Sequence, residues 1–194
     1  DETLNQLHAS GIQVPIVVAI AHGGKRRMNE LSPWPNADFG QASGEEYLAF
    51  MVSKVKPYVD KYYRTKSDAA NTAVMGSSMG GLMSHYALVA RPDIFSKAAV
   101  FSPSFWFSKQ AYDFTESHPL PDSHRLYLIT GEKEGEQMVQ GMQAMVALHQ
   151  AQQHNSDNLF WRIVPDGEHN EAFWRSQVAQ ALAWLGLLTE GNEK

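Results

Sequence analysis

Gly76-Ser77-Ser78-Met79-Gly80 matches the pattern Gly-x-Ser-x-Gly. It stands directly after the strand-like Thr-Ala-Val-Met and directly before an amphipathic helical repeat that begins near Met79. On such a strand–turn–helix elbow the flanking glycines allow a turn that side chains would block, and the serine is lifted to the C-terminal edge of a sheet. The helix N-terminus beneath it favours developing negative charge, and the Met79 backbone N–H would be one donor to an oxyanion. The plainer alternative is an ordinary Gly/Ser-rich connection; the strand before and the helix after favour the elbow.

A hydroxyl nucleophile needs a base. In a chain built around such an elbow the base is expected after the last strand. His169 lies there, in Val164-Pro165-Asp166-Gly167-Glu168-His169-Asn170, between the final apolar run and the final helical pattern. His85, about two turns into the helix after Ser78, reads as a packed or surface residue. His22 follows the first apolar run and is placed at a pocket edge, whereas His8, His118, His124, His149 and His154 stand in polar stretches and are expected to be solvated. A carboxylate should hold the imidazole in one tautomer, in chain order between Ser and His. Glu132, Glu134 and Glu136 compete in Gly-Glu-Lys-Glu-Gly-Glu, just after the strand-like Leu-Tyr-Leu-Ile-Thr. Glu134 is favoured, then Glu132; first-turn acids that complement a helix dipole are the plainer reading of the cluster. Glu168 and Glu171 are too close in sequence to His169 to reach it well, and a Ser–His dyad without an acid is the remaining alternative.

These residues need a sheet edge to meet on. Val14 to Ile20, Thr72 to Met75, Ala98 to Phe101, Leu126 to Thr130 and Leu159 to Val164 are continuous apolar runs, the pattern of strands buried on both faces. Helical spacing lies between them: Leu48, Met51, Val52, Val55 and Val59 after a possible cap at Ser43; Leu82, Met83, Tyr86, Ala87 and Ala90; Met138, Met142, Met145 and Val146; Trp174, Val178, Leu182 and Leu185. The alternation predicts one α/β three-layer sandwich with a mainly parallel sheet over residues 1–194. The loop from Ser32 to Ser43 keeps Trp34 and Phe39, which are expected to border a pocket, and the polar tail from Thr189 to Lys194 is expected to fray.

Composition removes other classes. The chain has 194 residues, 43% of them hydrophobic, and a formal charge of −5 without basic blocks, which argues against nucleic acid as the main partner. No apolar run reaches the ~18–20 residues of a membrane span, and the polar first residues contain no apolar core of a leader. With 0 cysteines there is no disulfide, thiolate metal site or Cys nucleophile. No second histidine stands four residues from His169 on a helix, and no Gly-x-Gly-x-x-Gly opens one, so neither a metal nor another cofactor is expected. The methionine stripe at Met138, Met142 and Met145 reads as core.

Four segments carry a family resemblance: Ile16 to Trp34, Val74 to Phe107, Leu126 to Gly135 and Pro165 to Gln177. Together they resemble the putative-esterase (esterase D-like) family of α/β-hydrolases, nearest to bacterial hydrolases similar to the periplasmic trilactone siderophore esterase. The resemblance implies a serine esterase with Ser78 as nucleophile, His169 as base and Glu134 at the acid position, although the siderophore branch is thought to dispense with the acid. It implies Arg27, Phe105 and Trp106 as substrate-facing residues; a surface ion pair between Arg27 and Glu30 is the alternative for Arg27. The implied partner is a small-molecule ester, with acyl transfer on the same site or a non-catalytic binding module as alternatives. In the family, Val14 to Ile20 corresponds to the fourth strand, so the chain is expected to be N-terminally truncated, without the strand whose following loop gives the second oxyanion donor. Losing one such donor costs ~10²–10³ in kcat. Compartment (cytoplasmic or periplasmic) and oligomeric state carry no signal.

Overall fold

A computed structural model describes residues 2–190. Its helices are α1 (Glu2–Ala9), α2 (Arg27–Glu30), α3 (Gly44–Phe50), α4 (Lys56–Tyr62), α5 (Met79–Ala90), α6 (Gln110–Ser117), α7 (Glu136–Ala151) and α8 (Glu171–Trp184). Its strands are β1 (Ile12–Gln13), β2 (Ala73–Ser77), β3 (Lys97–Phe101), β4 (Arg125–Gly131), β5 (Leu159–Val164) and β6 (Thr189–Glu190). Strands β2-β3-β4-β5 form one parallel sheet in chain order, each joined to the next through a helix. A parallel neighbour requires such a crossover.

The apolar runs make this sheet because both of its faces are covered. Ala98, Val100, Leu126 and Leu128 pack into a core shared with α5 and α7, including Leu82, Leu88, Met142 and Met145. The alternate residues Ala99, Phe101, Tyr127 and Ile129 pack on the opposite face against Phe173, Ala181 and Leu185 at α8. Period-two alternation therefore separates two cores rather than a core from water. The result is an α/β three-layer sandwich. The methionine stripe of α7 is core, with Met142 and Met145 fully buried.

Three expectations need correction. Val14 to Ile20 is not a strand: regular pairing stops at Ile12–Gln13, which forms a separate two-stranded antiparallel ladder with Thr189–Glu190. An extended run becomes a strand only when a neighbour takes its N–H and C=O groups. This one has none among the described residues, and Ile16, Val17 and Val18 are 46–53% exposed. They line a groove with Phe50, Tyr58 and Tyr63. Second, the tail is paired through Glu190; residues 191–194 lie outside the described residues. Third, the helix after Ser43 contains a π-helical turn at Met51–Val55, and Ser43 precedes it without a side-chain cap bond.

Candidate active site

The register brings four strand ends to one edge. Ser77 pairs with Phe101, Phe101 with Ile129, and Gly131 with Val164. The residues that follow, Ser78, Ser102, the Glu132–Glu134 turn and the His169 loop, therefore emerge together. This is the C-terminal edge, where open α/β sheets bind ligands.

Ser78 is the cap residue of α5 and has φ 57°, ψ −122°. That conformation is strained for any residue with a side chain. It is held by hydrogen bonds from Ser78 N–H to Phe101 O (2.9 Å) and from Ser104 N–H to Ser78 O (3.1 Å). The two glycines of the motif do different work. A Cβ on Gly76 would overlap the Gly80 carbonyl, whereas one on Gly80 would meet open space. The tight approach is thus of Gly76 to the first turn of α5. Helix α5 starts at Met79, whose N–H is among the first-turn donors without an intrahelical acceptor. Ser78 Oγ lies 3.4 Å from Ser104 Oγ, and no hydrogen bond joins it to His169 among the described residues. Catalytic hydrogen bonds are often long before substrate binds.

The His169 loop is fixed from both sides. Asn170 caps α8, its side chain accepting from Phe173 N–H at 2.9 Å, a bond of a kind that contributes ~1 kcal/mol. On the other side Gly167 presses on Gly131 so closely that a Cβ on either would overlap the other's backbone, and Lys133 N–H donates to Gly167 O at 3.1 Å. The end of β4 and the His169 loop therefore approach backbone to backbone, and Lys133 Nζ adds an ion pair to Asp166 at 2.9 Å. That contact delivers Glu134 to His169: the imidazole Nδ1 lies 2.7 Å from Glu134 Oε2. The Glu134 side chain is fully buried and that of His169 is 40% exposed. Glu134 Oε1 accepts from Gly131 N–H at 2.7 Å and from Ser102 Oγ–H at 2.6 Å. Glu132 is exposed and makes no such contact, and Glu168 accepts instead from the Asn170 side chain at 3.2 Å.

The other sequence-predicted residues are less concentrated. Arg27 is half-buried, with Nη1 3.8 Å from Met28 Sδ. Glu30 pairs not with Arg27 but with Arg26, at 3.7 Å, and also accepts from Gly23 N–H at 2.8 Å. Phe105 is core, with its ring against His85 and Tyr112, whereas Trp106 is exposed. Trp34 packs against Tyr86 and Phe114 rather than bordering a pocket, while Phe39 is exposed and stacks on Phe107. His22 is exposed, its Nδ1 accepting from Gly24 N–H at 3.1 Å. His124, His149 and His154 are buried, not solvated; His8 and His118 are exposed. Ser102 was silent in the sequence. It sits in Phe-Ser-Pro-Ser with nothing but its place after a strand to mark it, and its left-handed φ of 45° appears only in three dimensions.

No group of three or more His, Cys, Asp or Glu able to hold a metal occurs among the described residues. No helix there is long and apolar enough to cross a membrane.

Comparison with known proteins gives the family and the fold. The model of the family described as "Putative esterase" matches residues 1–185. The chain is 27% identical to YbbA of Bacillus subtilis (strain 168), over 89% of this chain and 74% of that one. It is 32% identical to the siderophore enterobactin esterase of Emericella nidulans, over 41% of this chain and 25% of that protein. Among solved structures, the enterobactin esterase FES from Shigella flexneri superposes with a TM-score of 0.73 at 21% identity, covering 94% of this chain and 47% of that one. The chain thus spans under half the length of that esterase.

Proposed function

Because the chain belongs to the Putative esterase family, we propose that it is a serine hydrolase of carboxylic esters, working through Ser78, His169 and Glu134. The observation that carries this reading is a serine held in a strained elbow on the same sheet edge as a histidine bonded to a buried carboxylate. Ser78 Oγ attacks the ester carbonyl while His169 Nε2 takes its proton. Met79 N–H steadies the oxyanion, and the alcohol leaves with the proton from His169. Water then attacks the acyl-enzyme, giving its proton to His169, which passes it to Ser78 Oγ as the Ser78–acyl bond breaks and the acid is released. Glu134 keeps the imidazole proton on Nδ1 so that Nε2 can act as base.

The surroundings support a ligand class. Trp106, exposed beside Phe107 and Phe39, offers an aromatic surface, and Arg27 adds a guanidinium unengaged by any carboxylate among the described residues. Together they suit a small ester with an aryl or anionic part, in keeping with relatives named as siderophore esterases. Phe105 supports this surface from the core.

Fluorophosphonate labelling and hydrolysis of short-chain p-nitrophenyl esters test the reading. The expected result is labelling at Ser78 and turnover, both lost in Ser78→Ala. A folded protein that never labels, or a Ser78→Ala variant with unchanged turnover, overturns it and leaves a binding module on a hydrolase scaffold.

A further inference from the structure

We infer that Ser102 and Trp174 are positioning residues that lock the orientation of Glu134, and through it the tautomer of His169; the inference rests on the serine-hydrolase reading above. Four groups form a closed circuit. His169 Nδ1 lies 2.7 Å from Glu134 Oε2, and Ser102 Oγ lies 2.6 Å from Glu134 Oε1. Trp174 Nε1 lies 2.8 Å from Ser102 Oγ. The Trp174 ring returns to His169 edge-to-face, with centroids 4.9 Å apart and planes at 88°.

The direction of every bond in the circuit is set by chemistry. An indole N–H can only donate, so Ser102 Oγ accepts from Trp174. An ionised carboxylate can only accept, so the single Ser102 proton goes to Glu134. Gly131 N–H supplies a second donor to the same oxygen, at 2.7 Å. With Oε1 taken twice, Oε2 is presented to His169, which must donate from Nδ1. Nε2 is then left free of its proton, as a general base requires.

The backbone shows that Ser102 is held there at a cost. It is fully buried, has φ 45°, and its N–H is fixed to Ile129 O at 2.7 Å. A non-glycine residue in that region costs of order 1–3 kcal/mol. Glycine would avoid the strain but would bring no hydroxyl. Trp174 stands in the first turn of α8, four residues after the Asn170 cap, so the helix that fixes the His169 loop also carries the donor to Ser102.

The test is a double-mutant cycle in the full-length protein with p-nitrophenyl butyrate. Ser102→Ala should lower kcat about tenfold, the scale of one charge-assisted hydrogen bond, with KM unchanged. In a Glu134→Gln background the same substitution should cost less than about twofold, because its route of action is already gone. Trp174→Phe, which keeps a ring over His169 but removes the donor, should lower kcat by a smaller factor. Full multiplication of the Ser102→Ala and Glu134→Gln losses, or an unchanged kcat in Ser102→Ala, overturns the inference. Ser102→Gly, which suits the left-handed backbone, repeats the cycle if Ser102→Ala does not fold. The low-field proton resonance of His169 Nδ1–H provides a readout that needs no turnover: it should be present in the parent and broadened or lost in both Ser102 variants. Its persistence in them overturns the relay, whereas its loss in a protein without Ser78-dependent turnover keeps the relay and removes only the esterase reading.

Discussion

The molecule holds two histidine groups, and they solve opposite problems. At the sheet edge, His169 leans on a buried carboxylate whose two oxygens receive three donors. Behind the elbow, His85 on α5 and His149 and His154 at the end of α7 are buried without any carboxylate hydrogen-bonded to them among the described residues. There the rings lean on each other: His85 Nε2 lies 3.0 Å from His149 Nε2, so one donates and the other accepts, and the accepting ring must be neutral. His149 Nδ1 and both nitrogens of His154 have no hydrogen-bond partner among the described residues. Burial pushes the His85 imidazolium well below its ordinary range, and the neighbouring His149 adds to this. Burial, then His154, brings His149 down to about 4. Depth in the protein thus does not make a base. A carboxylate on Nδ1 gives His169 a defined tautomer, while His85 and His149 behave as polar filling that burial keeps uncharged.

That contrast can be broken from either side. The largest effect belongs to the edge: His169→Ala should reduce kcat/KM for p-nitrophenyl butyrate by about 10⁴-fold or more with little change in melting temperature. His149→Ala should do the reverse, lowering the melting temperature and leaving most of the turnover of the folded protein. Glu134→Gln comes next, with a loss of about 10²–10⁴ in kcat. A loss of only a few-fold would mean that His169 works as one half of a dyad.

The core group should announce itself through pH. Above pH 6.5, the ordinary histidine value, His149 is neutral folded or unfolded and its full contribution to stability is present. As the pH falls from 6.5 to about 4, the unfolded chain binds a proton that the folded chain refuses, so stability drops across that window. The size of the drop is about 3 kcal/mol from His149 alone, with His85 acting in the same direction. Urea unfolding at pH 7 and pH 4 measures most of it. Replacing His85 and His149 together by leucine should flatten the dependence, and a slope unchanged by the replacement would assign it elsewhere. The smallest effect concerns the contact that joins strand end to loop: Gly131→Ala must displace the Gly167 backbone, at a cost of about 1–3 kcal/mol. Turnover should fall with it, because Glu134 and His169 would move apart.

Much of this was legible in the residues themselves. Strands β2 to β5 were readable because each is a short apolar run closed by turn residues, the pattern of a doubly covered sheet. The positions of Ser78 and His169 after strand ends were readable because those ends are punctuated, by Gly-Ser-Ser-Met-Gly in one case and Pro-Asp-Gly in the other. Val14 to Ile20 misled for a physical reason: strand propensity belongs to the run, but strand formation belongs to a pair. The buried histidines misled because the stretches around them carry many polar residues. Helical phase held the correction, since His149 continues the Met142, Met145 face by one further step of four. Ser102 had no such signal, because its importance lies in a φ angle and in two partners 32 and 72 residues away.

The elbow has an evolutionary consequence. At φ 57° and ψ −122°, Ser78 holds of order 1–3 kcal/mol of strain. A glycine would release it while adding only about 0.4–1 kcal/mol of unfolded-chain entropy to be overcome. Drift or laboratory evolution that rewards thermal stability alone should therefore favour Ser78→Gly, and with it a sturdier molecule that has given up its hydroxyl. On the serine-hydrolase reading, the serine persists there under selection for what its oxygen does.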